Sequence, residues 1–290
     1  LLKMDSYMKS EFDIGRFRDI GSVIGVNRFN QSGGAIMEDF DNDGLLDLVA
    51  TSFDPGLPMI FHRNLGDGTF EDRTEQAKVK DQLGGLYCVQ TDYNNDGCMD
   101  IYVPRGAWIH HAVRPSLLRN NGDGTFTDVT KESALLHPTN SNSASWRDYD
   151  NDGWLDLFVC CEEQPNQLFH NNGDGTFSDV AMQAGVAGNG KGFCKGSAWI
   201  DIDNDDAPDL FLNNLNDVGQ LFKNDGKGKF REVSREFGID GPRNGFSCWC
   251  WDFDNDGWQD IFAPSFDRTL KGVVQGLIGE EHECSKNKLF

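Results

Sequence analysis

Asp39-Phe40-Asp41-Asn42-Asp43-Gly44-Leu45-Leu46-Asp47-Leu48 is written five times along this 290-residue chain. It returns as Asp92-Tyr93-Asn94-Asn95-Asp96-Gly97 with Asp100, and again over 148–156, 201–209 and 252–260. With the first Asp as position 1, oxygen-bearing side chains recur at positions 1, 3, 5 and 9. Nineteen of these twenty positions are Asp and the other is Asn94, so each copy gathers acidic groups in one tight loop. Carboxylates held within ~5 Å of one another repel by roughly 1 to 3 kcal/mol per pair at effective dielectrics between water and a protein surface. Such a loop closes around positive charge.

The donor set is all oxygen, which selects a hard cation. Calcium accepts six to eight oxygens in forgiving geometry, whereas magnesium demands an octahedron and keeps its waters. The expected ligands are therefore Asp39, Asp41, Asp43 and Asp47; Asp92, Asn94, Asp96 and Asp100; Asp148, Asp150, Asp152 and Asp156; Asp201, Asp203, Asp205 and Asp209; and Asp252, Asp254, Asp256 and Asp260. The backbone carbonyl of position 7 (Leu45, Cys98, Trp154, Ala207, Trp258) is a further candidate in each loop. Up to five Ca2+ sites follow. Position 6 is Gly for the sharp turn except in the fourth copy, where Asp206 predicts strain or an altered turn.

An EF-hand opens in the same way but needs a bidentate Glu at position 12 and flanking helices. Position 12 here is Ala50, Val103, Val159, Leu212 or Ala263, which excludes it. Short apolar runs follow position 9 instead, as in Leu48-Val49-Ala50 and Leu157-Phe158-Val159. These read as strands, so the loop joins two strands.

Each unit then supplies four strands. The first comprises small and apolar residues before the loop: 34–37, 86–89, 144–146, 197–200 and 246–251. The second is the apolar run, and the third (59–63, 117–119, 167–170, 220–223, 288–290) leads into a turn such as Asn64-Leu65-Gly66-Asp67-Gly68-Thr69. Asp-Gly between apolar runs is a strong hairpin signal. The fourth strand opens with Phe70, Phe126, Phe177 or Phe230. The fourth copy of the turn keeps its glycines and has Lys227 in place of that Asp, so the turn aspartate is read as structural.

The first loop Asp recurs at intervals of 53, 56, 53 and 51 residues. Four strands per interval, repeated, predict an all-β fold, a β-propeller of four-stranded blades. The expected repeats span about 32–79, 83–136, 143–186, 192–239 and 245–290 of a single domain 1–290, with 1–31 ending a preceding blade. Both termini fall inside a repeat. The chain is thus either part of a propeller of about seven blades, the favoured reading, or a closed five-bladed ring; propellers are built from about 4 to 8 blades. Ala35, Cys88, Ala144, Ser197 and Cys248, four residues before each loop, are small, as crowding at the central axis requires. Trp146, Trp199, Trp249 and Trp251 are expected to pack between blades.

These motifs, with the Asn-x-Gly-Asp-Gly-Thr-Phe turn and Asp-Val-Thr, resemble the VCBS/FG-GAP repeat family of integrin-like propellers. Within it the chain is most similar to bacterial proteins like cartilage acidic protein, which often carry an ASPIC/UnbV segment; the 290 residues contain neither that segment nor Phe-Gly-Gly-Ala-Pro. The resemblance covers essentially residues 12–290. It implies calcium between the first and second strands, an extracellular or periplasmic location, and a role in adhesion or interaction.

Composition narrows the function classes. The net charge is −21, from 26 basic and 47 acidic residues, and five divalent ions would bring it to about −11. No basic patch matches a phosphate backbone, so nucleic acid is an unexpected partner. No apolar run is long enough to span a membrane. Eight cysteines show no CxxC or zinc spacing and read as free buried thiols. His282-Glu283 lacks the second His of a zincin, since Lys286 stands there. G-x-S-x-G, P-loop and dinucleotide motifs are absent.

Partner recognition is expected on the variable connections opposite the acidic loops. Segment 104–116 offers Arg105, Trp108, His110, His111 and Arg114, and 270–278 predicts a short amphipathic helix. The reading that follows is a calcium-stabilised scaffold for a protein or glycan ligand. Its rival is a carbohydrate-active lyase or hydrolase working on the same face.

Overall fold

The computed structural model describes residues 18–28, 30, 33–107, 112–265 and 287–290. Strands alternate with the acidic loops as their apolar runs dictate. After a helical turn, α1 (Gly21–Ile24), the first blade comprises β1 (Ala35–Glu38), β2 (Asp47–Ala50), β3 (Ile60–Asn64) and β4 (Phe70–Asp72). The second comprises β5 (Val89–Thr91), β6 (Asp100–Val103), β7 (Ser116–Asn120) and β8 (Phe126–Asp128). The third has β9 (Ser141–Arg147), β10 (Asp156–Cys161), β11 (Gln167–Asn171) and β12 (Phe177–Asp179), followed by a second helical turn, α2 (Ala181–Ala184). The fourth has β13 (Phe193–Ile200), β14 (Asp209–Leu215), β15 (Gln220–Asn224) and β16 (Phe230–Glu232), and the fifth β17 (Trp249–Trp251), β18 (Asp260–Ala263) and β19 (Lys288–Leu289).

The chain is a β-propeller. Each blade is an antiparallel meander with its strands in sequence order; four blades are four-stranded, and the fifth has three strands among the described residues. Position 9 of every acidic loop is the first residue of the second strand, so the loop is clamped between paired strands, as in Glu38↔Asp47 and Trp251↔Asp260.

The first strands are innermost. A Cβ at Gly196 would stand 2.6 Å from the Phe246 carbonyl oxygen, and Ser145 and Ser197 join their hydroxyls at 2.9 Å across neighbouring first strands. Only small residues fit such an approach. β10 and β14 run longer than the apolar signal because each continues past a bulge, between Cys160 and Cys161 and opposite Cys194 to Gly196 respectively.

Hydrophobic burial lies between blades. One cluster joins Phe40, Val49 and Phe61 to Ile101, Leu118 and Phe126, and three more repeat the arrangement along the chain. The aromatic residue at loop position 2 packs on the Phe that opens the next blade's fourth strand: Phe40–Phe126, Tyr93–Phe177 and Tyr149–Phe230, each at 5.8 Å between ring centroids. Trp146 bridges Tyr102 and Phe177, and Trp199 bridges Phe158 and Phe230, both between blades. Trp249 and Trp251 differ from the expectation. They stack on each other at 6.1 Å and stay 46% and 39% exposed on the fifth sheet, which no further described sheet covers.

The N-terminal segment sits on the first blade as α2 sits on the fourth. Gly25 and Gly185 end their helical turns at φ +87° and +91°, and a Cβ there would meet the carbonyl oxygens of Phe70 and Phe230 at 2.5 and 2.9 Å. Arg28 pairs with Asp72. The segment expected to form an amphipathic helix, 270–278, lies outside the described residues, as do Trp108, His110 and His111.

Candidate metal centre

Each acidic loop is shaped by its own carboxylates. Position 1 accepts two backbone N–H groups, from positions 5 and 6: Asp39 Oδ1 takes Asp43 N at 3.0 Å and Oδ2 takes Gly44 N at 2.8 Å, with the same pair at Asp92, Asp148, Asp201 and Asp252. Position 5 accepts the N–H of position 7, as from Leu45 to Asp43 at 2.9 Å. Position 9 ties the loop to the sheet: Asp156 Oδ2 takes Tyr149 N at 3.2 Å and Oδ1 takes Asn171 N at 2.8 Å. The turn survives at Asp206, which adopts φ +64° and keeps the Gly-type bond to Asp201 at 3.0 Å.

Oxygens are left over. Asp41 Oδ1, Asp47 Oδ2 and Asp150 Oδ1 are buried without a hydrogen-bond partner. Burial of such an atom costs about 1 to 3 kcal/mol, which a cation in the loop would recover. Asp39, Asp41 and Asp43 bring ligand atoms within 4.8 Å of one another, as do Asp148, Asp150 and Asp152, then Asp201, Asp203 and Asp209, and Asp252, Asp254 and Asp260. These loops could hold metal ions. Burial, reinforced by neighbouring carboxylates, pushes Asp47 up to about 6 and Asp100 up to about 7. Asp156 and Asp209 follow at about 7 and about 6 for the same reason.

The third strand contributes what the sequence reading overlooked. Arg63 donates from Nε to Asp41 at 2.5 Å and from a terminal nitrogen to Asp43 at 2.8 Å. Lys223 holds Asp203 and, at 3.1 Å, Asp205. His170 Nδ1 stands 3.2 Å from Asp156 and 3.4 Å from Asp150, making a mixed Asp150–Asp156–His170 group. In the second loop Asn94 supplies the donor itself, to Asp96 at 2.8 Å. The signal was a basic residue directly before an Asn at the end of the third strand: Arg63-Asn64, Arg119-Asn120, His170-Asn171 and Lys223-Asn224.

That Asn is a bolt between blades. Asn171 Nδ2 donates to Leu155 O in its own loop at 3.2 Å and to Tyr93 O in the preceding one at 2.8 Å, while its Oδ1 accepts Gly173 N at 3.1 Å. Asn120 reaches Phe40 O and Asn224 reaches Tyr149 O, both at 2.7 Å. Position 4 links loops in the other direction. Asn95, Asn151 and Asn204, at φ 54° to 58°, donate to Gly153, Asp206 and Gly257 carbonyls of the next blade. The turn aspartates Asp67, Asp123 and Asp174 bind the hydroxyl and amide of the following Thr, which holds them below the usual carboxylate range.

On the opposite face, Arg105 is 7% exposed and built into the fold. Its guanidinium donates to Leu83 O, Arg114 O, Ser116 Oγ and Gln82 Oε1, and burial lowers it to about 10. It anchors the base of the 104–116 connection. Arg114 is exposed and pairs with Asp128 at 3.1 Å. Nearby, a groove of about 500 Å³ runs past His137, Pro165, Asp179 and Met182.

Cartilage acidic protein 1 of Homo sapiens is 28% identical over 216 residues, covering 70% of this chain and 32% of that protein. The Mus musculus protein is 32% identical over 216 residues, again 70% of this chain and 33% of its own length. The chain thus spans about a third of these curated relatives. Among solved structures, an Agrocybe aegerita lectin that recognises non-reducing terminal N-acetylglucosamine aligns at 19% identity and TM-score 0.46, over 79% of this chain and 60% of its own. A putative exo-beta-1,3-galactanase from Bifidobacterium bifidum aligns at 9% and 0.43, over 90% and 91%. The FG-GAP-like repeat profile matches residues 39–103, 108–159, 148–212 and 201–263, and the chain belongs to that family.

Proposed function

We propose that this chain is a calcium-stabilised extracellular or periplasmic propeller that serves as a binding scaffold for a protein or glycan. The observation that carries the metal half is the set of buried carboxylate oxygens without partners, Asp41 Oδ1, Asp47 Oδ2 and Asp150 Oδ1, in loops whose backbone donors are already committed elsewhere. Positions 1, 3, 5 and 9 with the position 7 carbonyl would provide the oxygens, and calcium is the ion whose coordination tolerates this number and spread. Affinity of ~10⁻⁴ to 10⁻³ M is expected for an extracellular module of this kind. The ion's task is structural: it neutralises acidic loops that also serve as joints between blades. Recognition falls to the opposite face, at the 104–116 connection that carries Trp108, His110 and His111 in its sequence and whose base Arg105 anchors. The test is thermal unfolding in millimolar calcium against EDTA, with magnesium as a control. A steep, calcium-selective rise in melting temperature supports the reading; superimposable curves in calcium and EDTA overturn it.

A further inference from the structure

The cysteines that the sequence leaves as separate thiols are not all separate in the fold. Cys160 lies on β10 of the third blade and Cys194 on β13 of the fourth, 34 residues apart, yet their sulfurs stand 2.8 Å from each other. Non-bonded heavy atoms of this kind settle ~3.5 to 4.0 Å apart, and a disulfide bond is ~2.05 Å long. Both first strands are irregular beside this pair: β9 carries an extra residue, Asn142, opposite Cys160 and Cys161, and β13 carries one, Lys195, directly after Cys194. The β9–β10 register shifts between Cys160 and Cys161, and the β13–β14 register between Cys194 and Gly196. A bulge re-aims a side chain, and here two bulges meet at one seam. Both residues are buried, at 0% and 2% exposure, inside the cluster that joins these blades.

A thiolate metal centre is the alternative use of such sulfurs. Among the described residues no group of three metal-ligating side chains includes a cysteine. Cys161, adjacent in sequence, directs its sulfur to the Val159 carbonyl at 3.7 Å and not to Cys194.

We propose that Cys160 and Cys194 form a disulfide that fastens the third blade to the fourth. The two thiols lose two protons and two electrons as the S–S bond forms. A disulfide-bearing oxidant, an oxidoreductase or oxidised glutathione, accepts them and leaves as two thiols. In the cell this needs the oxidising compartment of the proposed function; in the test tube it does not. Because the pair is sealed by the seam, oxidation precedes the docking of these blades, and the native protein resists reductant until it unfolds.

The experiment is a peptide map of the full chain refolded in a glutathione redox buffer, then unfolded in guanidinium with excess N-ethylmaleimide and no reductant. Trypsin releases residues 148–191 and 192–195, carrying Cys160 with Cys161 and Cys194 respectively. The expected result is a 148–191/192–195 cross-linked species, loss of free alkylated 192–195, and recovery of that peptide after reduction. The cross-link should persist in Cys161→Ser and vanish in Cys160→Ser. Full recovery of alkylated 192–195 from unreduced wild type overturns the proposal. So does a cross-link that survives Cys160→Ser and is lost in Cys161→Ser. Wild type with Cys161→Ser decides the matter even if Cys160→Ser does not fold. Repeating the map with and without EDTA separates this result from the calcium reading, since neither outcome depends on a bound ion.

Discussion

Replacing Asp100 with Asn should reverse the sign of its effect when calcium is added. Asp100 is position 9 of the second loop, fully buried, and accepts Asn120 N at 2.7 Å and Tyr93 N at 3.3 Å. Burial, with Asp96 and Asp92 nearby, pushes its carboxyl from the ordinary 3.8 up to about 7. Without metal the folded protein therefore holds a proton that the unfolded chain gives up near pH 4. Between those values the folded state binds more protons, so this group's contribution to stability is fully present below about pH 4 and is lost as pH rises towards about 7. Above pH 7 the uncompensated charge costs about 4 kcal/mol, at about 1.4 kcal/mol for each tenfold change in acidity.

Asp100→Asn removes that charge. Its amide can accept only one of the two backbone donors, and the lost bond costs about 1 kcal/mol. The variant should then be more stable than wild type by about 3 kcal/mol at pH 8 in EDTA, and slightly less stable at pH 4. In calcium the order inverts once the ion exceeds the dissociation constant about a thousandfold, where wild type gains about 4.1 kcal/mol and the variant loses that site. Urea denaturation at the two pH values, with and without calcium, measures all four cases. An Asp100→Asn protein less stable than wild type at pH 8 in EDTA would refute the claim that this loop buries charge in need of an ion.

The other predictions concern the joints. Asn171→Ala strands the Tyr93 and Leu155 carbonyls and the Gly173 amide, and should lower stability by about 2 to 4 kcal/mol in urea melts. Asn64→Ala, whose amide reaches Leu46 O within its own loop, should cost less. Arg63→Ala removes the tethered cation from Asp41 and Asp43; it should destabilise the chelated protein by about 1 kcal/mol and widen the gap between its melting temperatures in calcium and EDTA. Gly196→Ala drives a Cβ against the Phe246 carbonyl and should cost about 1 to 3 kcal/mol by opening the seam between the fourth and fifth blades, read as a lower urea midpoint.

The sequence was most legible where the repeat and local chemistry agree. Loop positions 1, 5 and 9 could be read because a short acidic turn with Gly or Asn at positive φ has few ways to fold, and the apolar runs after it had to pair. Two kinds of information were hidden. The Asn after each third strand looked like turn punctuation, yet its amide crosses to the preceding blade, 78 residues earlier for Asn171 and Tyr93. Spacing within a repeat cannot reveal a bond between repeats. Likewise Arg105 read as a recognition residue on a variable connection, but the carbonyls of Leu83 and Arg114 enclose it, and burial cannot be seen from neighbours in sequence. The Cys160–Cys194 approach lies beside two bulges, which apolar alternation does not announce.

These bonds also explain why metal and blade docking should be one event. Position 2 of a loop supplies the ring packed on the next blade, position 4 donates to the next loop, and the carbonyl of position 2 receives the next blade's Asn. A loop that opens for want of charge compensation therefore loosens three contacts at a seam, not one turn at a surface. Repeat arrays are held by nearest-neighbour terms, so chelation should weaken the seams before it melts the sheets within blades. Limited proteolysis in EDTA would then cut first in the connections between blades, such as 80–85 and 187–191, while cleavage inside the acidic loops would lag. Early cuts confined to residues 39–47 and 92–100, with the connections intact, would place the ion's influence inside single loops and break the link between neutralisation and assembly.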